Sequence, residues 1–265
     1  MTLEEYFELS ATPFPKAAND KTLLINSAME KVQGRLRFAI EHDTIAMVVA
    51  DSGCGKSTAL GCFTRSLDAA THNVITTSLT TLAPFSFISH LATTIGLPGH
   101  RFKGEAAAAL LQHLRGLPKR TVLLIDEGHL LPDSSLEDLR LLTADDMDRR
   151  SPFALILVGQ PLLRDRIAEP QHYALWQRVG VRVQLRPLCE QEVADFLARQ
   201  MKAAGCRKKN VFEPGALSEI FRHSRGVPRL VQNIALQAML TAMEAQKATV
   251  DAEAVQGAIV EMDLN

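Results

Sequence analysis

Ile45-Ala46-Met47-Val48-Val49-Ala50-Asp51-Ser52-Gly53-Cys54-Gly55-Lys56-Ser57 is the stretch on which the fold turns. Its first six residues form an apolar run of the length of one buried strand, and a helical pattern over 56–67 follows the two glycines. Strand, glycine turn and helix in that order make a phosphate loop. Backbone amides of the turn and of the helix start point towards phosphate oxygens, and glycine at 53 and 55 lets the chain curl without side-chain clashes. Lys56 is placed to reach the β- and γ-phosphates and the Ser57 hydroxyl to hold Mg²⁺. The cradle predicted for ATP is Ala50, Asp51, Ser52, Gly53, Cys54, Gly55, Lys56, Ser57 and Thr58. Ala50 stands where the strict pattern has its first glycine, which bears on the geometry of that first turn.

A second apolar run, Val122-Leu123-Leu124-Ile125, delivers Asp126 and Glu127 at its C-terminal tip. Phosphoryl transfer to water needs a carboxylate in the Mg²⁺ shell and another that polarises the attacking water, and these are the roles expected of Asp126 and Glu127. Loop and acidic pair together predict an ATPase.

Outside these motifs, Ser27-Ala28-Met29-Glu30 has the form of a capping box and opens a helix near 27–41. Strands are expected at 73–78, 153–159 and 181–185, and helices at 84–95, 104–116 and 135–142. Such alternation predicts an α/β domain with a mostly parallel, five-stranded sheet flanked by helices. After Pro187 no strand-like run appears, and helical stripes follow around 193–204, 214–223, 231–239 and 251–262. The expected division is residues 1–187, an N-terminal arm with the ATPase domain, and 188–265, a small all-helical lid.

The chain has 265 residues, 46% apolar and 22% charged, with a net charge of −1, an ordinary globular composition with no global signal for nucleic acid. Cys54, Cys62, Cys189 and Cys206 lack metal-binding or paired spacing, so reduced thiols are expected. No apolar stretch approaches the roughly 20 residues of a membrane span. Glu4, Glu5 and Glu8 stand where a secretion signal has its basic segment, so a cytoplasmic location is expected. Locally, residues 199–229 carry eight Lys or Arg against Glu213 and Glu219. That stretch, with Arg207, Lys208 and Lys209 at its centre, is either a DNA-facing patch or a solvated helical surface.

With these residues in place the chain resembles the AAA+ ATPases, and within them the ExeA-like group that includes transposition helpers of the MuB, TnsC and TniB type. The resemblance rests on Tyr6-Phe7, Pro13-Phe14, the GxGKS loop, Leu124 to Leu130, Leu157 to Pro161, Leu185-Arg186-Pro187-Leu188 and Gly226-Val227-Pro228-Arg229. It implies a sensor role for Gln160, at the end of a strand between the loop strand and the acidic strand. It also implies a second sensor at Arg229 and an arginine finger, acting on a neighbouring subunit, at Arg178 or else Arg182. Phe14 is assigned either to adenine or to the core. The function implied is an ATPase that assembles with copies of itself, as a ring or helical filament on duplex DNA, and presents that DNA to a transposase. ExeA-like secretion ATPases join the same domain to a membrane span and a wall-binding region, and a chain ending at Asn265 has neither, which favours the DNA reading. The alternatives are an ExeA-like secretion-associated ATPase, another remodelling or regulatory ATPase acting on proteins alone, and an origin-type initiator or loader, for which no helix-turn-helix is recognisable after residue 250.

Overall fold

The computed structural model describes residues 1–15, 27–144, 151–208 and 210–263. Its helices are α1 (Leu3–Tyr6), α2 (Ser27–Glu41), α3 (Lys56–Arg65), α4 (Pro84–Thr94), α5 (Lys103–Gly116), α6 (Asp133–Thr143), α7 (Pro161–Ile167), α8 (Tyr173–Arg178), α9 (Glu190–Ala203), α10 (Pro214–Ser224), α11 (Pro228–Glu244) and α12 (Ala252–Asp263). The strands are β1 (Ile45–Val49), β2 (His72–Thr77), β3 (Arg120–Ile125), β4 (Ala154–Gly159) and β5 (Val179–Gln184). Two compact units result: Ser27–Ser52 with Ala59–Leu185, and Met1–Asn26 with Gly53–Thr58 and Arg186–Asn265. The capping box expected at Ser27 involves side chains outside the described residues.

In the α/β unit the five strands pair in parallel in the order β2-β3-β4-β1-β5. Alternate residues of a strand face opposite sides, and here both sides are filled. Ile45, Met47 and Val49 pack with Leu123, Ile125, Leu155 and Leu157 against apolar residues of α4, α5 and α6. Ala46 and Val48 pack with Val122, Leu124, Ile156 and Val158 against Val32, Leu36, Leu60 and Phe63. Double coverage is why these strands read as unbroken apolar runs. The β5 edge instead alternates buried and exposed residues. Short helices α7 and α8 had no counterpart in the expected pattern, because six or seven residues are too few to establish a helical period.

In the other unit α9, α10, α11 and α12 share one apolar cluster, and Phe7 is fully buried in it. Burying a side chain of that size stabilises by roughly 1.5–3 kcal/mol. Backbone bonds secure the arm further: the Ser10 and Ala11 N–H groups donate to the Ala204 carbonyl at 2.8 and 3.1 Å, and the Tyr6 hydroxyl donates to the Lys247 carbonyl at 3.1 Å. Division by chain position groups the arm with the α/β domain, whereas packing groups it with the helical residues. Distance along the chain carries no information on where Phe7 finds apolar neighbours.

Two of the segments that carried the family resemblance meet inside this unit. The Leu188 N–H donates to the Gly226 carbonyl at 2.9 Å, and Gly226 lies at φ +73°. A Cβ at 226 would stand 1.9 Å from the Leu188 carbonyl oxygen, an impossible distance to a backbone atom. Beside this contact Arg186 forks onto Glu192 at 2.7 and 3.1 Å and holds that carboxyl down to about 2. Gly226→Ala must therefore move the backbone as well as adopt a disfavoured φ, and should cost at least about 2 kcal/mol. Urea unfolding followed by circular dichroism measures it; an unchanged midpoint would show that the 188–226 contact bears no load.

Candidate functional site

Strands β3, β4 and β1 are adjacent and parallel, so their C-terminal ends leave the sheet at one edge. Val49 is paired with Gly159 and Ile125 with Leu157, which brings Asp51 and Ser52, Asp126 and Glu127, and Gln160 to that same edge. In open α/β sheets this edge is where ligands bind.

Ala50 is 1% exposed, its N–H donates to the Gly159 carbonyl at 3.1 Å, and its φ is not positive. A methyl group is accommodated there, and the turn asks no glycine of that position. Gly53 and Gly55 are the two that adopt left-handed backbone, at φ +80° and +84°. Helix α3 starts at Lys56, which is buried at 8% exposure, while Ser57 is exposed and Thr58 half-buried. The first N–H groups of a helix have no partner inside it and carry the positive end of its dipole, which suits an anion.

The acidic pair sits on a tightly held turn. The Asp126 N–H donates to the Thr77 carbonyl at 2.8 Å and its Oδ1 accepts from the Glu127 N–H at 2.8 Å. Glu127 occupies left-handed backbone at φ 52°, ψ 33°, rare for a non-glycine residue, and its carbonyl accepts from the Thr80 hydroxyl at 3.1 Å. A 3-10 turn over Gly128–Leu130 follows. Gly128 and Gly159 bring the tips of β3 and β4 together: a Cβ at 128 would stand 3.1 Å from the Val158 carbonyl, and one at 159 would stand 3.1 Å from the His129 N.

Four further residues join this turn, and sequence reasoning gave none of them a role. His129 is buried, with Nδ1 3.4 Å from the Glu127 carboxylate and 3.4 Å from the Gln160 backbone N. Arg166 donates to the His129 carbonyl at 2.6 Å and also to Asp133. Asp133 in turn stands 3.1 Å from His172 Nε2, and Arg166 first, then His172, lower its pKa from the ordinary carboxylate value. The only signal in the sequence was Gly128-His129 directly after the acidic pair.

Gln160 lies one residue beyond β4 and precedes α7. Arg178 ends α8 and donates to the Thr143 hydroxyl at 3.4 Å. Arg182, on β5, stacks 3.8 Å over the Trp176 ring and donates to the Trp176 carbonyl at 3.0 Å. Arg229 is the second residue of α11; its N–H donates to the Gly53 carbonyl at 3.3 Å. Phe14 packs beside the helical cluster.

The basic stretch separates into distinct environments. Arg199, Lys202, Arg207 and Arg225 are exposed, and Arg222 pairs with Glu219. Lys208 donates to the Tyr6 carbonyl at 3.1 Å and lies 5.6 and 5.7 Å from the Tyr6 and Phe7 ring centres. It fastens the N-terminal arm, while Arg207 beside it is exposed. Lys209 lies outside the described residues. Among the described residues no three His, Cys, Asp or Glu gather as a metal cage, and no helix is long and apolar enough to cross a membrane.

Residues 39–167 match the family model of an AAA domain. The chain is 30% identical over 250 residues to the general secretion pathway protein A of Aeromonas hydrophila, covering 90% of this chain and 44% of that protein. It thus spans less than half the length of that relative. Among solved structures it is similar to Cdc6p of Pyrobaculum aerophilum, with a TM-score of 0.67, 17% identity and coverage of 97% of this chain and 70% of that one. The Orc1 protein of Aeropyrum pernix, solved in complex with DNA, gives 0.67 at 17% identity, with 94% and 66% covered. The RuvB Holliday junction branch migration motor of Thermotoga maritima gives 0.59 at 18%, with 89% and 70% covered. The parallel sheet with its flanking helices, the helical C-terminal part and these likenesses identify the architecture as the P-loop AAA+ ATPase fold.

Proposed function

We propose that the chain binds Mg-ATP on Ala50–Thr58 and hydrolyses its terminal anhydride with Glu127 polarising the attacking water. The observation that carries this reading is the edge of the sheet, where β1 leads to Asp51 and Ser52 and β3 delivers Asp126 and Glu127; in sequence a turn with two left-handed glycines follows Ser52 and leads into α3. Lys56 supplies positive charge to the β- and γ-phosphates. The Ser57 hydroxyl and Asp126 carboxylate are hard oxygen donors of the kind Mg²⁺ takes. Two such ligands fit an ion that draws its remaining ligands from phosphate and water. Gln160 faces the γ-phosphate and Arg229 reports the nucleotide to α11. Lys56→Ala should abolish ATP binding, and equal affinity in mutant and wild type would refute the loop assignment. Glu127→Gln should bind ATP and lose about 10²–10⁴ in turnover; normal turnover would place the base elsewhere.

Arg178 is proposed as the finger that enters a neighbouring copy's site, with Arg182 as the competing candidate. Arg178→Ala should lose about 10³–10⁵ in turnover with ATP affinity little changed. Mixing it with Glu127→Gln subunits should restore activity at mixed interfaces. A mixture that stays inactive while Arg182→Ala reproduces the defect would transfer the role to Arg182.

As the output of the cycle we propose ATP-dependent assembly on duplex DNA, as a helper that presents DNA to a transposase. Exposed Arg199, Lys202, Arg207 and Arg225 support it. Each phosphate neutralised would add roughly −0.9 to the log–log salt slope. Likeness to the secretion pathway protein A favours a second reading, in which the same switch acts on protein partners only. Sedimentation and electron microscopy with ATP or ADP, with and without DNA, separate the two. Replacing Arg199, Lys202 and Arg207 by Ala should flatten the salt slope and leave unstimulated hydrolysis intact, whereas indifference to DNA at low salt selects the protein-partner reading.

A further inference from the structure

His129 has no part in the chemistry above, yet it is buried against it. Its Nδ1 stands 3.4 Å from an acceptor, Glu127 Oε2, and equally 3.4 Å from a donor, the Gln160 N–H. A neutral imidazole carries one N–H and one bare nitrogen. With the proton on Nε2, bare Nδ1 accepts the Gln160 N–H and turns a lone pair on the Glu127 carboxylate. With the proton on Nδ1, the ring donates to Glu127 and opposes the Gln160 N–H. One atom can serve either partner and never both. Retreat is limited on every side: the ring side chain is 7% exposed, the His129 carbonyl is held by Arg166, and its backbone N lies against Gly159. The Glu127 backbone is fixed by its left-handed conformation and by Thr80, while its side chain, 41% exposed, has room to turn.

We propose that His129 is a positioning residue whose single Nδ1 holds either the Glu127 carboxylate or the Gln160 backbone, so that the proton's place on the ring sets the water-polarising group and the tip of β4 in opposition. When the ring donates to Glu127 the carboxylate is fixed and Gln160 is released; when the ring accepts from Gln160 the carboxylate is free to turn. This rests on the ATPase reading and adds to it a means by which the end of β4 controls the base.

The test uses the full chain with His129→Asn, His129→Gln and His129→Leu. An Asn amide reaches about where Nδ1 stands and can donate or accept by flipping; a Gln amide reaches the Nε2 position; Leu does neither. His129→Gln and His129→Leu should lose roughly 10- to 100-fold in kcat, the cost of an ångström-scale misplacement, with ATP affinity within about twofold of wild type. His129→Asn should recover most of the rate. In a Glu127→Gln background His129→Leu should add no further loss, since residues acting as one unit are not additive. Separately, the ¹⁵N shifts of the His129 ring should move towards the Nε2–H form in Glu127→Ala protein, with or without nucleotide. Unchanged kcat in the Leu and Gln variants, equal losses in Asn and Gln, a full multiplicative loss on top of Glu127→Gln, or ¹⁵N shifts indifferent to Glu127→Ala would each overturn the proposal. Absence of hydrolysis in the wild type would instead defeat the ATPase reading, and the ¹⁵N comparison would still decide whether Glu127 and His129 share a proton.

Discussion

Parallel pairing of β3, β4 and β1 is the constraint on which the rest of the site depends. In a parallel set all strands end at the same edge, so whatever follows Val49, Ile125 and Gly159 is gathered there without further design. Because both faces are covered, the interiors of these strands are apolar apart from Thr121 near the start of β3, and carboxylates find a place only where that edge is reached. Buried apolar strand followed abruptly by Asp126 and Glu127 is therefore one physical fact with two sides. The same reasoning explains why Ala50 is acceptable: it still belongs to the buried part of the chain, with its N–H taken by Gly159, and the loop's unusual backbone begins only at Gly53.

What sequence made legible follows from this. Five strands, the longer covering helices, the glycine turn after β1 and the acidic pair all depend on local patterns of apolar and glycine residues, and each lies within a few residues of its expected place, whereas α7 and α8 are too short to show one. Gln160 between the loop strand and the acidic strand required the strand order, which the family resemblance supplied and the pairing bears out. Relations that close across long stretches of chain were not legible. Lys208 reads as one more surface cation in a basic run, and nothing nearby in sequence announces that its partner is the Tyr6 carbonyl. The same holds for Arg166, whose partners His129 and Asp133 lie 37 and 33 residues away.

Small residues do comparable work at three places, and each time the reason is the approach of another backbone. Gly128 and Gly159 allow the ends of β3 and β4 to touch, and that approach presses His129 between Glu127 and Gln160. Gly226 allows the chain entering α11 to pass the Leu188 carbonyl. Gly-Val-Pro-Arg is thus a structural statement before it is a functional one: glycine for the close pass, proline for the first turn of a helix, and only then the arginine.

That order bears on how Arg229 would sense a nucleotide. Its contact with Gly53 is made by main chain, N–H to carbonyl at 3.3 Å. A Cβ at 53 would stand 3.1 Å from the Arg229 Cβ and 3.0 Å from Val227 Cγ1, so the loop and the start of α11 already touch without the guanidinium. On the proposed reading, phosphate drawing on the amides of the loop would shift Gly53, and α11 would feel that shift through one hydrogen bond and these contacts. The guanidinium adds charge to a coupling that the backbone already makes. Truncating Arg229 to alanine therefore removes only the charged part, whereas enlarging Gly53 strikes at the coupling itself.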